Sequence, residues 1–224
     1  MIHRLDEARA RVALATWALA ALCGGGCSAS VEQDAVAPST ESVVSTEAVQ
    51  VSGKAPAASR GFRSVVSFVR ESEPNGASKP DSGSSPGMDQ FSREFYPDVL
   101  VALPGQSVEF ANSEEEMHNV HVRAVATGET VFNVGTPAGA TYRHRFEVDG
   151  AYHVTCDVHS EMEAFIVVVP GSSVKADKDG AFEIEGLAPG KYRVLVWSAD
   201  ASLQHERSIT IEEGARVLDL SSPP

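Results

Sequence analysis

Positive charge is scarce in this sequence: 18 Lys and Arg stand against 31 Asp and Glu, a formal net charge of −13 over 224 residues. That balance excludes nucleic acid and anionic membrane surfaces as electrostatic partners. A charged partner, if there is one, is basic. Long apolar runs are missing too. Val12 to Cys23 is almost purely apolar, but it falls short of the ~20 residues that a bilayer-spanning helix needs. No Ser-His-Asp order, phosphate-cradling glycine loop or paired-carboxylate motif stands out, so the chain is not expected to be an enzyme. Cysteine is limited to Cys23, Cys27 and Cys156.

What is present begins with a targeting pattern. Arg4, Arg9 and Arg11 precede the short apolar run, and small residues follow it. This suits a signal peptide over residues 1–27. Gly25 and Gly26 before Cys27, with a polar stretch after it, resemble the lipobox of bacterial lipoproteins. Cys27 is the favoured lipidation site, with Cys23, plain cleavage or a structural role as alternatives. A diacylglyceryl group carries two acyl chains, enough for stable anchoring. The expected location is therefore outside the cytoplasm, in the periplasm or at the cell surface, with membrane contact only through the lipid anchor. If two cysteines serve export, Cys156 is a lone thiol in an oxidising compartment. Burial would explain it, and so would metal ligation.

Residues 28–58 are rich in Ser, Ala, Val, Glu and Pro without an aromatic residue, and read as a flexible tether. Phe62 to Val69 reads as a strand, and Ser72 to Gly87 as a loop. From Phe95 onward the texture is all β. Short strands are expected at Val99–Ala102, Ser107–Asn112, His118–Val125, Thr141–Val148, Ala151–Cys156 and Ala164–Val169, with Pro104-Gly105, Asn112-Ser113 and Asp149-Gly150 as turns. Strands at this spacing indicate a sandwich or barrel. In the tail, strands are expected at Ala181–Ile184, up to Trp197, at Ser208–Ile211 and at Arg216–Leu220. Leu187 to Tyr192, Leu-Ala-Pro-Gly-Lys-Tyr, has the form of a tyrosine corner.

The chemistry lies in Cys156, His159 and Met162, spaced Cys-x-x-His-x-x-Met between two expected strands. Tyr152, Val154 and Cys156 share one strand face, so the thiol points with the apolar side chains. Thiolate, imidazole and thioether are soft ligands suited to copper. His118 opens a strand with Val120 and Val122 on its own face and supplies a second imidazole. Two His, one Cys and a weak axial Met form the blue-copper set. Zinc is the competing metal, though structural zinc sites rarely use Met. By strand phase His121 and His153 should be exposed, and His144 half-buried. His205 carries no signal, and Met117 is expected to pack. Glu114, Glu115 and Glu116 read either as a solvated loop or as a docking surface.

Met88 to Val120, MDQFSREFYPDVLVALPGQSVEFANSEEEMHNV, resembles the opening half of plastocyanin-like cupredoxins. Cys156 to Met162, CDVHSEM, is similar to the short ligand loop of amicyanin. The pair, with the tail, resembles bacterial methylamine-utilisation cupredoxin proteins whose tail is similar to a carboxypeptidase regulatory-like domain. The resemblance implies one copper ion per chain, held by His118, Cys156, His159 and axial Met162. Asn119 would tie the first ligand strand to the cysteine loop, and the edge of His159 would be the electron exit.

The expected fold is therefore all-β: a cupredoxin Greek-key β-sandwich over residues 59–170 and a smaller β-sandwich module over 171–224. A nested alternative takes the module's opening strands from 48–71. The leading function is one-electron transfer with a redox protein such as a basic cytochrome. The alternatives are a periplasmic copper carrier or sensor, and a non-metal interaction module with Cys156 merely buried.

Overall fold

Val49–Lys54 (β1) and Val65–Arg70 (β2) find their partners at the far end of the chain. The computed structural model describes residues 48–73, 85–214 and 216–224; the expected signal peptide, Cys27 and most of the expected tether lie outside the described residues. The tail strands are Ser172–Lys175 (β12), Ala181–Leu187 (β13), Gly190–Trp197 (β14), His205–Ile211 (β15) and Arg216–Asp219 (β16). They form two sheets, ordered β13-β1-β16 and β12-β2-β14-β15.

Between β2 and β12 the chain builds a second sandwich. Its strands are Gly87–Phe91 (β3), Glu94–Tyr96 (β4), Val99–Ala102 (β5), Gln106–Asn112 (β6), His118–Ala124 (β7), Thr130–Thr136 (β8), Thr141–Phe146 (β9), Gly150–Thr155 (β10) and Glu163–Val168 (β11). They make sheets ordered β5-β11-β10-β7-β8 and β4-β3-β6-β9. The fold is all-β; a short 3-10 turn occupies Ala201–Leu203.

Strand pairing corrects two expected boundaries. Val49 and Val51 are buried in the tail module's core, and β1 pairs with β13 and β16. The segment 49–54 is therefore not tether, and β2 does not belong to the sandwich of β3–β11. The larger sandwich is nested within the smaller module rather than preceding it. Two valines two residues apart are a short period-2 signal, enough for the nested alternative but not against the Ser- and Ala-rich composition around them.

Three apolar clusters hold the described residues together. One fills the nested sandwich and contains Val120, Val122, Val154, Cys156 and Met162. A second fills the outer module around Phe68, Phe182 and Tyr192. The third joins them: Phe165 of β11 meets Phe62 edge-on at 4.9 Å and Trp197 at 5.2 Å. Each sandwich also carries a tyrosine hydroxyl that donates to the carbonyl four residues upstream. These are Tyr192 to Ala188 and Tyr152 to Val148, both at 2.7 Å. The first was legible as a tyrosine corner; the second lacks the Pro-Gly signal and was missed.

Candidate metal centre

Cys156 follows β10 and stays in that strand's phase. Tyr152 and Val154 face the nested core, and Cys156 is buried beside them. His118 is the first residue of β7 and is fully buried. The loop after Cys156 is tight: Met162 N–H donates to the His159 carbonyl at 3.1 Å, and Cys156 N–H to the Met162 carbonyl at 3.3 Å. This returns His159 to the thiol and seats Met162 in the core, 1% exposed. Donor atoms of His118, Cys156 and His159 all lie within 4.8 Å of one another. The two Nδ1 atoms are 3.0 Å apart, and His159 Nδ1 is 3.9 Å from Cys156 Sγ.

The far side of each imidazole meets a carboxylate. His118 Nε2 lies 2.8 Å from Glu114 Oε2, and His159 Nε2 lies 3.5 Å from Glu116 Oε2. A carboxylate accepts, so Nε2 of His118 carries the proton and its Nδ1 presents a lone pair. Glu116 lies near the corresponding nitrogen of His159 at a longer distance. The two Nδ1 atoms and the sulfur thus face one point, the first two close enough to share one hydrogen bond when no cation lies between them. Soft sulfur with two imidazoles fits copper in chemical type, with buried Met162 on the same loop.

Arg93 organises the glutamates. Ser92 and Arg93 both adopt left-handed backbone conformations, φ 58° and 55°, in the β3–β4 turn. This turn presents the Arg93 N–H to Glu114 at 3.1 Å and its guanidinium to both oxygens of Glu116, at 3.1 and 2.8 Å. Both carboxyls are held below their ordinary range, Glu114 by the Arg93 backbone N–H and then His118, Glu116 by the Arg93 side chain. They remain charged opposite the imidazoles. The Glu114–Glu116 run is therefore neither a plain solvated loop nor a free acidic patch; of the three, only Glu115 points to no ionic partner among the described residues.

Asn112 pins this loop from inside. It is 1% exposed; its Nδ2 donates to the Glu116 and Thr136 carbonyls at 2.8 and 2.7 Å, and its Oδ1 accepts from Glu114 N–H at 2.9 Å. Asn119 links the ligand strand to the cysteine loop. Its Oδ1 accepts from Asp157 N–H at 2.7 Å and lies 3.3 Å from Cys156 Sγ, while its Nδ2 donates to Asp157 Oδ2 at 3.0 Å. Asp157 also takes Asn133 Nδ2 at 2.7 Å and His121 Nδ1 at 2.9 Å. The His121 contact comes first among the causes that lower its carboxyl.

Several sequence expectations change here. His121 is 8% exposed, not solvent-facing, because Asp157 and Thr130 accept it into a polar network on the outer sheet face. His153 is partly covered: it stacks on Phe165 and bonds Glu163. Met117 is 56% exposed rather than packed. His144 is half-buried as expected, between Phe132 and Phe146, and burial lowers its imidazole. Arg93, Asn112, Glu114 and Asp157 were missed as site residues. A loop glutamate four residues before a histidine carries no signal until the fold places it.

Comparison with known proteins adds the following. A family model described as polysaccharide lyase family 4, domain II, matches residues 173–217. Comparison with curated proteins gives no match. Solved structures similar to the chain include a reduced amicyanin variant, 24% identical, covering 40% of this chain and 87% of that one at a TM-score of 0.36. A copper-containing nitrite reductase from Thermus scotoductus SA-01 is 26% identical, covering 40% of this chain and 23% of that one, also at 0.36. A purple cupredoxin from Nitrosopumilus maritimus is 21% identical, covering 38% of this chain and all of that one at 0.34. The tail is a β-sandwich module by its own strands and by the family match.

Proposed function

We propose that this chain is a type 1 copper protein that performs one-electron transfer outside the cytoplasm. The observation that carries the reading is the convergence of His118 Nδ1, His159 Nδ1 and Cys156 Sγ on one point, within 4.8 Å of one another, with His118 and Cys156 buried. His118, Cys156 and His159 would hold the ion, with Met162 as the weak axial donor. Copper, when bound, supplies the one-electron redox chemistry. The protein's part is to fix the donors beforehand. Glu114 sets the His118 tautomer, Asn119 holds the cysteine loop, and the sandwich core immobilises Met162. Preorganised ligands leave little to rearrange when charge changes, and partners beyond the ligands tune the metal. The test is to add Cu(II) to the full chain and record its spectrum. An intense red-region absorption from thiolate-to-copper charge transfer supports the reading. Binding without colour would point to a carrier or a zinc site, and no binding to an interaction module.

Met162→Gln is expected to keep copper bound and lower its reduction potential, because the axial ligand tunes potential. Voltammetry of the loaded variant checks this; an unchanged potential and spectrum would remove Met162 from the ligand set.

For the partner we propose a basic redox protein, with export and lipid attachment through Cys27 as the setting. The tail's likeness to a carboxypeptidase regulatory-like domain belongs to the same proposal. Because Glu114 touches His118, replacing the whole glutamate run would also disturb the site. The useful variant is Glu115→Gln with Glu161→Gln, both exposed beside the ligand loops. At low salt this pair should slow electron exchange with a basic cytochrome while leaving the spectrum unchanged. The difference should fade near 0.15 M salt, where the screening length is about 8 Å. Stopped-flow rates across a salt series decide it; rates indifferent to both salt and substitution would argue against an acidic docking field.

A further inference from the structure

The β3–β4 hairpin turns two aromatic rings to solvent. Met88, Gln90 and Phe95 face inward and are buried, so by strand alternation Asp89, Phe91, Glu94 and Tyr96 take the outer face of the four-stranded sheet. Phe91 is 61% and Tyr96 75% exposed, whereas every other Phe and Tyr side chain is buried or half-buried. Register sets Phe91 opposite Glu94 and Tyr96 opposite Asp89. Each ring therefore stands beside a carboxylate, on two rungs about 7 Å apart. Neither ring packs on another ring among the described residues, so the pair does not serve to staple the hairpin. The carboxylates are not taken up by local cations either. Glu94 meets no cation among the described residues, and Asp89 accepts a backbone N–H, from Ser113 at 3.2 Å. Arg93, in the turn, is held by Glu116, and Arg143 of the same sheet by Glu109.

We propose that this face binds an extended basic segment of a partner protein, with arginine or lysine at alternate positions. Aromatic faces attract cations, and a carboxylate beside each ring adds a charge-assisted hydrogen bond. In an extended chain, side chains two residues apart lie on one face about 7 Å apart, which matches the two rungs. A purely apolar partner would bury Asp89 and Glu94 without counter-charges, which is costly. An acidic partner would meet them with like charge. The surface stands whether or not the chain binds copper, because none of its four side chains belongs to the His118, Cys156 and His159 group.

The test titrates the full chain, without added metal and at constant ionic strength, with a capped Gly-Arg-Ser-Arg-Gly peptide, following amide shifts. Gly-Gln-Ser-Gln-Gly is the neutral probe. Gly-Arg-Arg-Ser-Gly, whose arginines point to opposite faces when extended, is the spacing probe. The first peptide should bind about tenfold tighter than the neutral one, the scale of two exposed cation–π contacts, and severalfold tighter than the spacing probe. Shifts are expected at residues 87–96. Phe91→Leu with Tyr96→Leu keeps apolar side chains on the face but removes the rings, and should weaken the peptide about tenfold. Glu94→Gln should weaken it severalfold at low salt. All three positions are exposed, and circular dichroism checks that the variants stay folded. No saturable binding, binding no tighter than that of either control peptide, shifts that map elsewhere, unchanged affinity in the double leucine variant, or displacement of the peptide by neutral maltohexaose would overturn the proposal.

Discussion

Cys156→Ala is expected to leave a folded protein that shows no intense visible absorption with Cu(II) and holds the ion only weakly. The thiol is 3% exposed, and the change removes one buried sulfur, a loss on the order of 1 kcal/mol by cavity arguments. Asn119 Oδ1, which faces the sulfur at 3.3 Å, keeps the Asp157 N–H at 2.7 Å and is not left unpaired. The fold therefore survives, and the deficit is chemical. His118 and His159 remain as two nitrogen donors without the sulfur that completes the group, and the charge-transfer colour requires thiolate. Cys156→Ser, which keeps a poor oxygen donor, should give at most faint colour. Visible spectra with Cu(II), set beside far-ultraviolet circular dichroism, separate loss of ligand from loss of fold. An intense band in the alanine variant would sink the assignment.

Asn112→Ala should cost about 3 kcal/mol of stability, three net hydrogen bonds at about 1 kcal/mol each. The side chain is almost fully buried and bonds the Glu116 carbonyl, the Thr136 carbonyl and the Glu114 N–H. Alanine supplies none of these, and buried backbone groups left without partners are costly. The same loss frees residues 113–117, which carry Glu114 to His118 and Glu116 to His159. The variant should thus show two linked effects: a lower denaturation midpoint with an unchanged denaturant slope, and a broadened, shifted copper spectrum. Asn112→Asp keeps the acceptor to Glu114 N–H but loses both donations, so it should rescue little. An unfolding free energy within about 0.5 kcal/mol of the parent, the range of an ordinary surface substitution, would mean that the loop is held by other contacts.

The strand texture of residues 99–169 was readable because period-2 apolar alternation and turn dipeptides are local signals. Val99–Ala102 is a strand with the same ends in the structure, and several others shift by a residue or two. Gly87–Phe91, Thr130–Thr136 and Ser172–Lys175 went unnoticed. In Thr130–Thr136 the alternation is diluted by glycine, asparagine and threonine and becomes evident only when paired with β7.

Cys156, His159 and Met162 were legible as a group because they occupy one loop with a spacing that soft-metal chemistry favours, and strand phase turned Cys156 and His118 inward. Local order along the chain also sufficed for the corner at Tyr192. Everything that depends on residues distant in sequence waited for the folded molecule. The nesting of one sandwich in the other, open in the sequence only as an alternative to tandem order, rests on β1 and β2 pairing with strands more than a hundred residues away. Glu114, Glu116 and Arg93 became imidazole partners because the β3–β4 turn lies against the loop before β7. His121, given to solvent by strand phase, is buried by a carboxylate from another loop. The physical reason is the same in each case. Periodicity reports which face a side chain takes on its own strand, whereas hydrogen bonds and ion pairs are set by what the other strands bring against that face.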